Sequence, residues 1–540
     1  MTVRELERDK LSTIKRERRQ QQWQQEVVGV ELAEPLEISR RSRASQQLFE
    51  KAPLAVLLIS SIAVAAYRFL IVSGAQTLEW DSAAFLTNAG VYAGFGQFSQ
   101  AYDPTRPPLV PVIISLGFRI LGPSQVFGYA VSAGFYFLVM IGGYLLARQA
   151  MINKWLSVMA ALSYAVTPTV FEWSGMIVSD VEGVAVGTVA LATFIMATNG
   201  HKRLYLLSMP LMILAVLTRY SMGIVIPAAI VYLIASKKYD IIFDSFDFYY
   251  GVGLSILAII IVGWQWIAYP FSHHETLAIL FPTPDATNPF HSPLGAAFYA
   301  YNLPQELGSG FYGFLLLGLL LVAVGILILQ RSSEGRKNIS NPVAVALAFW
   351  LVAMLLYYSV EWPYADLRYS VEFAMPAIIL AFWALSMGVS GLGSTRSKNF
   401  SRVLGVSLIV FCVLLVATME VQAANETFTT SPVLEVGINS AMRQAVGWVV
   451  LNVPVSEKLE SNWYTLMWWY APQYNTTSAP INYDLTTPSD YSQWITTMLK
   501  NHIEYVIYVD PSEISIPSQL TPVFSTSAQN ATSIVVYKVQ

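Results

Sequence analysis

The chain has 540 residues, of which 54% are hydrophobic and only 12% are charged. Soluble globular domains carry about 25% charged residues, so this composition excludes an ordinary soluble protein and favours burial in lipid. The net charge of −3 indicates little by itself, because the charges are segregated along the chain. A single cysteine, Cys412, excludes an intramolecular disulfide within this sequence.

Residues 1–51 are rich in Arg, Lys, Glu and Gln, and the first apolar run begins only near Pro53. A basic segment of this kind can bind nucleic acid or anionic lipid, but a solvated topology anchor is the simpler interpretation. We therefore expect a cytoplasmic N-terminal extension and no nucleic-acid partner.

Beyond Pro53, apolar stretches long enough to cross a bilayer recur about eleven times. They lie near residues 53–73, 124–147, 155–174, 180–199, 204–218, 221–236, 251–271, 311–330, 342–360, 369–388 and 403–422. Lys and Arg concentrate in every second loop, which predicts a cytoplasmic N-terminus and places residues 423–540 outside. Sequons at Asn425, Asn475 and Asn530 agree with that placement.

Two predicted outer segments are long, 74–123 and 272–310. The first contains an apolar stretch, 107–121, which is too short and too interrupted by proline to span. This pattern predicts a helix lying flat on the outer membrane surface. Ordered loops of such length are usually functional, which directs attention to both segments.

Polar residues return after residue 422, where alternating apolar runs predict short strands and residues 489–500 have a helical pattern. The fold class is therefore a polytopic α-helical membrane protein with a small C-terminal extracytoplasmic α/β domain. The predicted domains are 1–51 (cytoplasmic extension), 52–422 (transmembrane domain) and 423–540 (α/β domain). We expect a multi-pass protein of the cell membrane, in contact with membrane lipid.

Two carboxylates stand at outer helix ends, where ionisable groups are costly and tend to be functional. Asp81 follows the first predicted span, and it could either accept a proton from a hydroxyl nucleophile or cap the helix predicted over 82–93. Asp180 begins the fourth predicted span, where a capping box between Ser179 and Glu182 is the competing interpretation.

The predicted outer loops contain four arginines and no lysine: Arg106, Arg119, Arg219 and Arg368. A guanidinium group matches phosphate geometry through paired hydrogen bonds. The competing interpretation for each arginine is snorkelling to the interface, or pairing with Glu361 or Asp366. Several arginines on one face, beside two carboxylates, favour an anionic ligand.

The sequence has no phosphate-binding glycine loop, no CxxC pair and no HExxH helix. Neighbouring histidines do not share a helix face, so His273-His274-Glu275 does not predict a metal site. We therefore expect no metal ligands from this pattern and assign no certain cofactor.

The ordered set of Asp81, then Arg106-Pro107-Pro108-Leu109, then Asp180 resembles the GT-C membrane glycosyltransferases. Within these it is most similar to the dolichyl-phosphate-mannose protein mannosyltransferase and aminoarabinose transferase group. Further similarities are Tyr164-Ala-Val-Thr-Pro168, Arg368-Tyr369 followed by Pro376, and Pro289-Phe290-His291.

The resemblance implies an inverting transfer of a sugar from a polyprenyl-phosphate donor to a hydroxyl acceptor, protein or lipid, on the outer face. It implies that Asp81 deprotonates the acceptor and that Asp180 assists in positioning. The lipid phosphate would be bound by Arg106, Arg219, Arg368 and Tyr369, and His291, Glu361 and Asp366 would lie near the substrate. The resemblance is also compatible with a bound divalent cation.

A transporter or flippase of a lipid-linked or anionic substrate is the alternative, since it also explains many spans and isolated charges. That class favours broken helices with polar residues near the bilayer midplane, often in repeated halves. Here the charges cluster at one face, and the sequence has no evident repeat. A non-catalytic scaffold would leave the outer arginines unexplained.

Overall fold

A computed structural model gives the architecture. It describes residues 40–75, 78–151, 153–264, 298–299, 301–302, 341–361, 366–393, 432–480, 485, 487–510, 516–527 and 533–540. The chain divides into two compact units, Met1–Val56 and Leu57–Gln540, and the site described below lies in the second. His291 and the predicted spans near 311–330 and 403–422 lie outside the described residues, as does the side chain of Glu361.

Most of the described residues before 394 are helical. The helices are α1 (Arg40–Ala75), α2 (Trp80–Ala93), α3 (Leu109–Leu121), α4 (Gln125–Ala150), α5 (Lys154–Ala165), α6 (Pro168–Trp173), α7 (Asp180–Thr198), α8 (Tyr205–Thr218), α9 (Val225–Ser236), α10 (Tyr239–Phe243), α11 (Phe246–Val262), α12 (Pro342–Leu356) and α13 (Ser370–Gly393). Short 3₁₀ turns lie at Gly96–Ala101, Lys202–Leu204, Tyr220–Ile224 and Leu367–Tyr369, and a π turn at Tyr357–Glu361 follows α12.

Within the described residues, five helical segments are long and apolar enough to cross a membrane: Lys51–Gly74, Gln125–Ala150, Asp180–Thr198, Pro342–Ser359 and Leu367–Met387. Large apolar side chains also face outward, as at Ile59 on α1 and Phe246 on α11, which are 69% and 82% exposed. A soluble fold rarely exposes such surfaces, whereas lipid covers them. The chain is thus a membrane protein, and the count of about eleven spans stays a prediction.

The stretch 155–174, predicted as one span, is instead two helices. α5 ends at Ala165 and α6 begins at Pro168. Proline lacks a backbone N–H and disfavours the helical conformation in the residue before it, so the helix is interrupted at Val166 and Thr167. The prediction of a continuous span was wrong, and the break leads the chain through Trp173 into the segment that precedes α7.

α3 occupies the stretch predicted to lie flat on the membrane surface, and its two faces differ. Ile114 and Phe118 are fully buried, whereas Ile120 is 82% exposed. Nη2 of Arg119 donates to the backbone oxygen of Tyr92 at 2.7 Å, which ties α3 to α2. An apolar outer face of this kind suits a helix at a membrane interface.

Among the described residues from 432 onward there are three helices, α14 (Pro432–Asn452), α15 (Tyr464–Tyr470) and α16 (Pro488–Asn501). The strands of this C-terminal part are β1 (Lys458–Ser461), β2 (Asn475–Ser478), β3 (Tyr505–Val509), β4 (Leu520–Ser527) and β5 (Ser533–Val539). They form one sheet in the order β2-β1-β3-β5-β4. β1 is parallel to β2 and β3, and β5 is antiparallel to β3 and β4.

Aromatic contacts dock this C-terminal part against α2. The ring of Tyr464 lies 4.8 Å from that of Trp80, and Trp469 stacks on Phe98 at 5.6 Å. Nδ2 of Asn439 donates to the backbone oxygen of Leu78 at 2.9 Å. The start of α2, where Asp81 lies, therefore packs directly against the C-terminal part of the chain.

Candidate active site

Asp81 lies in the first turn of α2, but it does not cap that helix. Glu79 is the N-cap, and its carboxylate accepts the backbone N–H groups of Asp81 at 2.6 Å and Ser82 at 3.3 Å. The capping interpretation of Asp81 was therefore wrong. Oγ of Ser82 accepts the backbone N–H of Ile177 at 3.1 Å, which ties this turn to the segment before α7.

Each oxygen of the Asp81 carboxylate is held by a different arginine. Nη1 of Arg106 lies 2.8 Å from Oδ1, and Nη1 of Arg368 lies 2.7 Å from Oδ2. Burial alone would raise the pKa of Asp81, but the positive charges of Arg106 and Arg368 outweigh it and lower the pKa to about 2. Asp81 is therefore an ionised carboxylate with both oxygens engaged.

Arg106 reaches Asp81 because the turn before it is fixed to α2. Nδ2 of Asn88 donates to the backbone oxygen of Asp103 at 2.7 Å, and the Asp103 N–H returns a bond to Oδ1 of Asn88 at 2.9 Å. Oδ2 of Asp103 then accepts from Nε of Arg106 at 3.0 Å. This pairing orients the guanidinium group toward Asp81.

Arg368 is oriented by the turn that leads into α13. Oδ1 of Asp366 accepts the backbone N–H of Arg368 at 2.9 Å, and Oδ2 lies 3.2 Å from Nε. The guanidinium group also lies over the rings of Trp173 and Tyr369, at 5.4 and 5.1 Å. The pairing of Arg368 with Asp366 does occur, but the same arginine also pairs with Asp81.

Arg219 forms a second and more deeply buried cluster. Its Nη2 lies 3.0 Å from Oδ1 of Asp180, and its Nε bonds to Glu372. The side chains of Asp180 and Glu372 are 2% and 0% exposed. Arg219 stands in extended conformation between α8 and the Tyr220–Ile224 turn, with φ −155° and ψ 123°.

The start of α7 is shaped around Arg219. Ser179 makes no side-chain cap bond, so the predicted capping box with Glu182 is not formed. Oγ of Ser179 instead accepts from Nη1 of Arg219 at 3.3 Å. A Cβ added at Gly183 would lie 2.8 Å from Cβ of Arg219, so only glycine permits this close approach.

Two tyrosines connect the clusters. The hydroxyl of Tyr358 donates to Oε1 of Glu372 at 2.5 Å, and its ring stacks on Tyr369 with centroids 4.8 Å apart. The Tyr369 ring lies 5.5 Å from the Arg219 guanidinium and 5.1 Å from that of Arg368. Tyr369 thus lies between the two ion-pair clusters, where its ring face stabilises both cations.

The clusters border a single cavity of about 150 Å³. Its lining includes both sequence-predicted carboxylates and three of the predicted arginines: Asp81, Asp180, Arg106, Arg219 and Arg368, together with Tyr369. Charged and aromatic groups therefore converge on space for a small ligand. This arrangement can bind an anion at the guanidinium groups and accept a proton at a carboxylate.

Several site residues were missed in the sequence: Asp103, Trp173, Tyr358 and Glu372. Glu372 had a detectable signal, because an acidic residue inside an apolar span is costly unless it has a partner. In the described part of the chain, no group of three or more His, Cys, Asp or Glu residues is arranged to hold a metal ion. His273-His274-Glu275 lies outside that part.

The match to a known protein family agrees with the resemblance that the motifs indicate. The family described as dolichyl-phosphate-mannose-protein mannosyltransferase matches residues 105–266. A search of the curated proteins found no match.

Solved structures share the fold. ArnT from Cupriavidus metallidurans bound to undecaprenyl phosphate has a TM-score of 0.55 and 14% identity, over 88% of this chain and 97% of its own. Apo ArnT from the same organism has a TM-score of 0.51 and 12% identity, over 89% of this chain and 98% of its own. The arabinofuranosyltransferase AftD from Mycobacteria has a TM-score of 0.50 and 12% identity, over 89% of this chain and 40% of its own. The chain is therefore a membrane protein with the GT-C fold, similar to the mannosyltransferase and aminoarabinose transferase group, and the resemblance expected from its motifs is confirmed.

Proposed function

We propose that the protein is a glycosyltransferase that moves a sugar from a polyprenyl-phosphate donor to a hydroxyl acceptor, protein or lipid, on the outer face of the membrane. The observation that carries the proposal is the single cavity lined by Asp81, Asp180 and three arginines. The bound undecaprenyl phosphate of the ArnT structure, which shares the fold, supports this class of donor.

The chemistry is one displacement at the anomeric carbon of the sugar. The acceptor oxygen attacks from the face opposite the phosphate, its O–H proton passes to the Asp81 carboxylate, and the new C–O bond forms with inversion. The C–O bond to the phosphate breaks, and the lipid phosphate leaves with the electron pair. Its charge grows as it leaves, so nearby guanidinium groups stabilise the transition state.

The arginines divide into two roles. Arg106 and Arg368 have partly exposed side chains, 25% and 20%, and they bind the lipid phosphate, with Tyr369 supporting Arg368. Arg219 is more enclosed and holds Asp180, so it is better suited to fixing that carboxylate than to gripping a ligand. Asp180 then orients the sugar or acceptor.

The remaining sequence-predicted residues surround this core. Asp366 orients Arg368 and has a side chain that is 41% exposed, and it keeps its proposed place near the substrate. His291 and Glu361 keep their proposed place near the substrate. In this proposal Asp81 is the base, and Arg106 and Arg368 are the phosphate-binding cations. No step is assigned to a divalent cation.

The test is transfer of label by purified full-length protein in liposomes. Polyprenyl phosphates carrying different radiolabelled sugars are supplied with membrane acceptors, and the label is followed by lipid extraction and protein precipitation. We expect label to leave one donor and appear on a hydroxyl-bearing acceptor. A donor that stays chemically intact but crosses the bilayer would overturn the proposal in favour of a flippase.

A further inference from the structure

Every arginine that lines the cavity already has carboxylate partners. Arg106 pairs with Asp81 and Asp103, and Arg368 pairs with Asp81 and Asp366. Arg219 pairs with Asp180 and Glu372. A phosphate that enters this cavity therefore meets arginines whose charge is already shared with carboxylates, and it competes with a carboxylate for their donors.

The two clusters differ in how easily they can release a carboxylate. The side chains of Asp180 and Glu372 are 2% and 0% exposed, and a buried charge left without its partner is strongly destabilising. The Asp81 side chain is 12% exposed and borders the cavity, so water or a ligand can replace its partners. Exchange is therefore expected at Asp81.

The two guanidinium groups on Asp81 are arranged as a receptor for an oxyanion. Each supplies one Nη1 donor, at 2.8 and 2.7 Å, to a different oxygen of the same group. Two non-bridging oxygens of a phosphate present a similar pair of acceptors, and arginine binds phosphate in this manner. The carboxylate thus occupies the position that suits the donor phosphate.

We infer that Asp81 is an internal stand-in for the donor phosphate, which displaces it from Arg106 and Arg368 and thereby releases the carboxylate to act as the base. The inference rests on the proposed function and deepens it in one respect. Asp81 holds the phosphate position at Arg106 and Arg368 until the donor arrives, so the donor must bind before the acceptor can be deprotonated.

The same exchange completes the cycle. After transfer, Asp81 carries the acceptor proton and the lipid phosphate holds both arginines. When the lipid phosphate departs, the two cations again attract the carboxylate, which favours release of the proton to water. Without donor, Asp81 is bound at both oxygens and cannot activate water or an acceptor.

The test measures equilibrium binding of radiolabelled undecaprenyl phosphate to purified full-length protein. Asp81→Asn removes the competing charge, so we expect it to bind the lipid on the order of tenfold more tightly than wild type. Asp366→Asn is the matched control, because it removes a carboxylate from the same arginine without vacating the cavity position. We expect a smaller change in affinity than in Asp81→Asn, because Asp366 orients Arg368 but does not occupy the position proposed for the phosphate.

Affinity that is unchanged or weaker in Asp81→Asn would overturn the inference. Equal tightening in Asp366→Asn would also overturn it, since the effect would then be general electrostatics. Asp81→Glu keeps the charge and should bind no more tightly than wild type.

Wild-type protein that transfers sugar while Asp81→Asn fails to bind more tightly would remove the inference and leave the proposed function standing. Wild-type protein that neither binds the lipid nor transfers sugar would remove both.

A second measurement uses only wild-type protein and does not depend on a folded variant. A water-soluble carbodiimide reacts with carboxyl groups that it can reach, an ion pair lowers that reactivity, and mass spectrometry reports the labelled fraction at Asp81. We expect saturation with undecaprenyl phosphate to increase that fraction severalfold. An unchanged or reduced fraction would contradict displacement of Asp81.

Discussion

Nη1 of Arg368 lies 2.7 Å from Oδ2 of Asp81, although 287 residues separate the two along the chain. The contact joins the first turn of α2 to the turn that precedes α13. Both elements also border the cavity. The proposed base and the proposed phosphate-binding cation are therefore held against each other by the tertiary fold, and their proposed roles can be separated by substitution.

Asp81→Asn should abolish most of the transfer while leaving the fold intact. Glu79 supplies the cap of α2, so asparagine at position 81 keeps the helix cap while it removes the proton acceptor and the negative charge shared by Arg106 and Arg368. We expect the transfer rate to fall by roughly 10²–10⁴-fold, the usual contribution of a general base. Activity within about threefold of wild type, measured with an unchanged melting temperature, would mean that another group is the base.

Replacing Arg368 and Arg219 by glutamine should have different consequences. Arg368→Gln removes a cation from the proposed phosphate position, so both donor affinity and turnover should fall, and Arg368→Lys should rescue only part because lysine lacks the paired donors. Arg219→Gln leaves Asp180 and Glu372 without their shared cation, so the melting temperature should fall most. Lipid binding and thermal melting of the two variants give the comparison. A larger loss of lipid affinity in Arg219→Gln would reverse the assignment.

Glu372→Gln and Tyr358→Phe should rank in that order for stability. The first removes a fully buried charge from its pair with Arg219, which costs about 3–5 kcal/mol in comparable buried pairs. The second removes only the hydroxyl that donates to Glu372, which costs about 1.5–3 kcal/mol for a bond to a charged group. Melting curves in one detergent test this order. Equal shifts would indicate that Glu372 is not held as an ion.

The carboxylates and arginines of the site could be found in the sequence because charge is rare in this chain. Asp81, Asp180 and three arginines stand at helix ends beside apolar spans, where their cost in free energy marks them. Their partners could not be found in this way. The pairing of Arg219 with Asp180 depends on how α7 and α8 pack, and no local pattern encodes it.

Two differences between the predicted and observed helix boundaries have local physical reasons. A helix that begins at Ser82 would make Asp81 its cap. α2 instead begins at Trp80, and Glu79 caps it. The stretch 155–174 was predicted as one span because its composition is apolar, although Pro168 carried the signal for a break. Boundaries shift by such small steps, and a shift of two residues was enough to change the assigned role of a carboxylate.

The C-terminal segment 423–540 should be accessible from outside the cell. The distribution of Lys and Arg predicts a cytoplasmic N-terminus and an external C-terminus. Protease added to intact right-side-out cells should therefore cleave this segment, while a cytoplasmic marker protein stays protected. Cleavage seen only after lysis would invert the proposed topology and place the cavity on the cytoplasmic side.

The pH dependence of transfer should identify Asp81 as the base. A base must be deprotonated to act, and a lowered pKa moves its loss of activity to lower pH. The pKa of Asp81 is about 2 in the protein without donor, because Arg106 and Arg368 outweigh the effect of burial, with Arg219 adding to them. All three arginines stay charged over the working range, so kcat/KM for the donor should be flat between about pH 8 and pH 5. When the donor phosphate takes over Arg106 and Arg368, burial of Asp81 is no longer offset by their charge, so its pKa should rise and the acid limb of kcat should lie at higher pH than that of kcat/KM. Initial rates across this range, with protein stability checked at each pH, provide the measurement. An acid limb of kcat/KM near pH 6 to 7 would be typical of a histidine base, at about its unperturbed pKa, and would exclude Asp81.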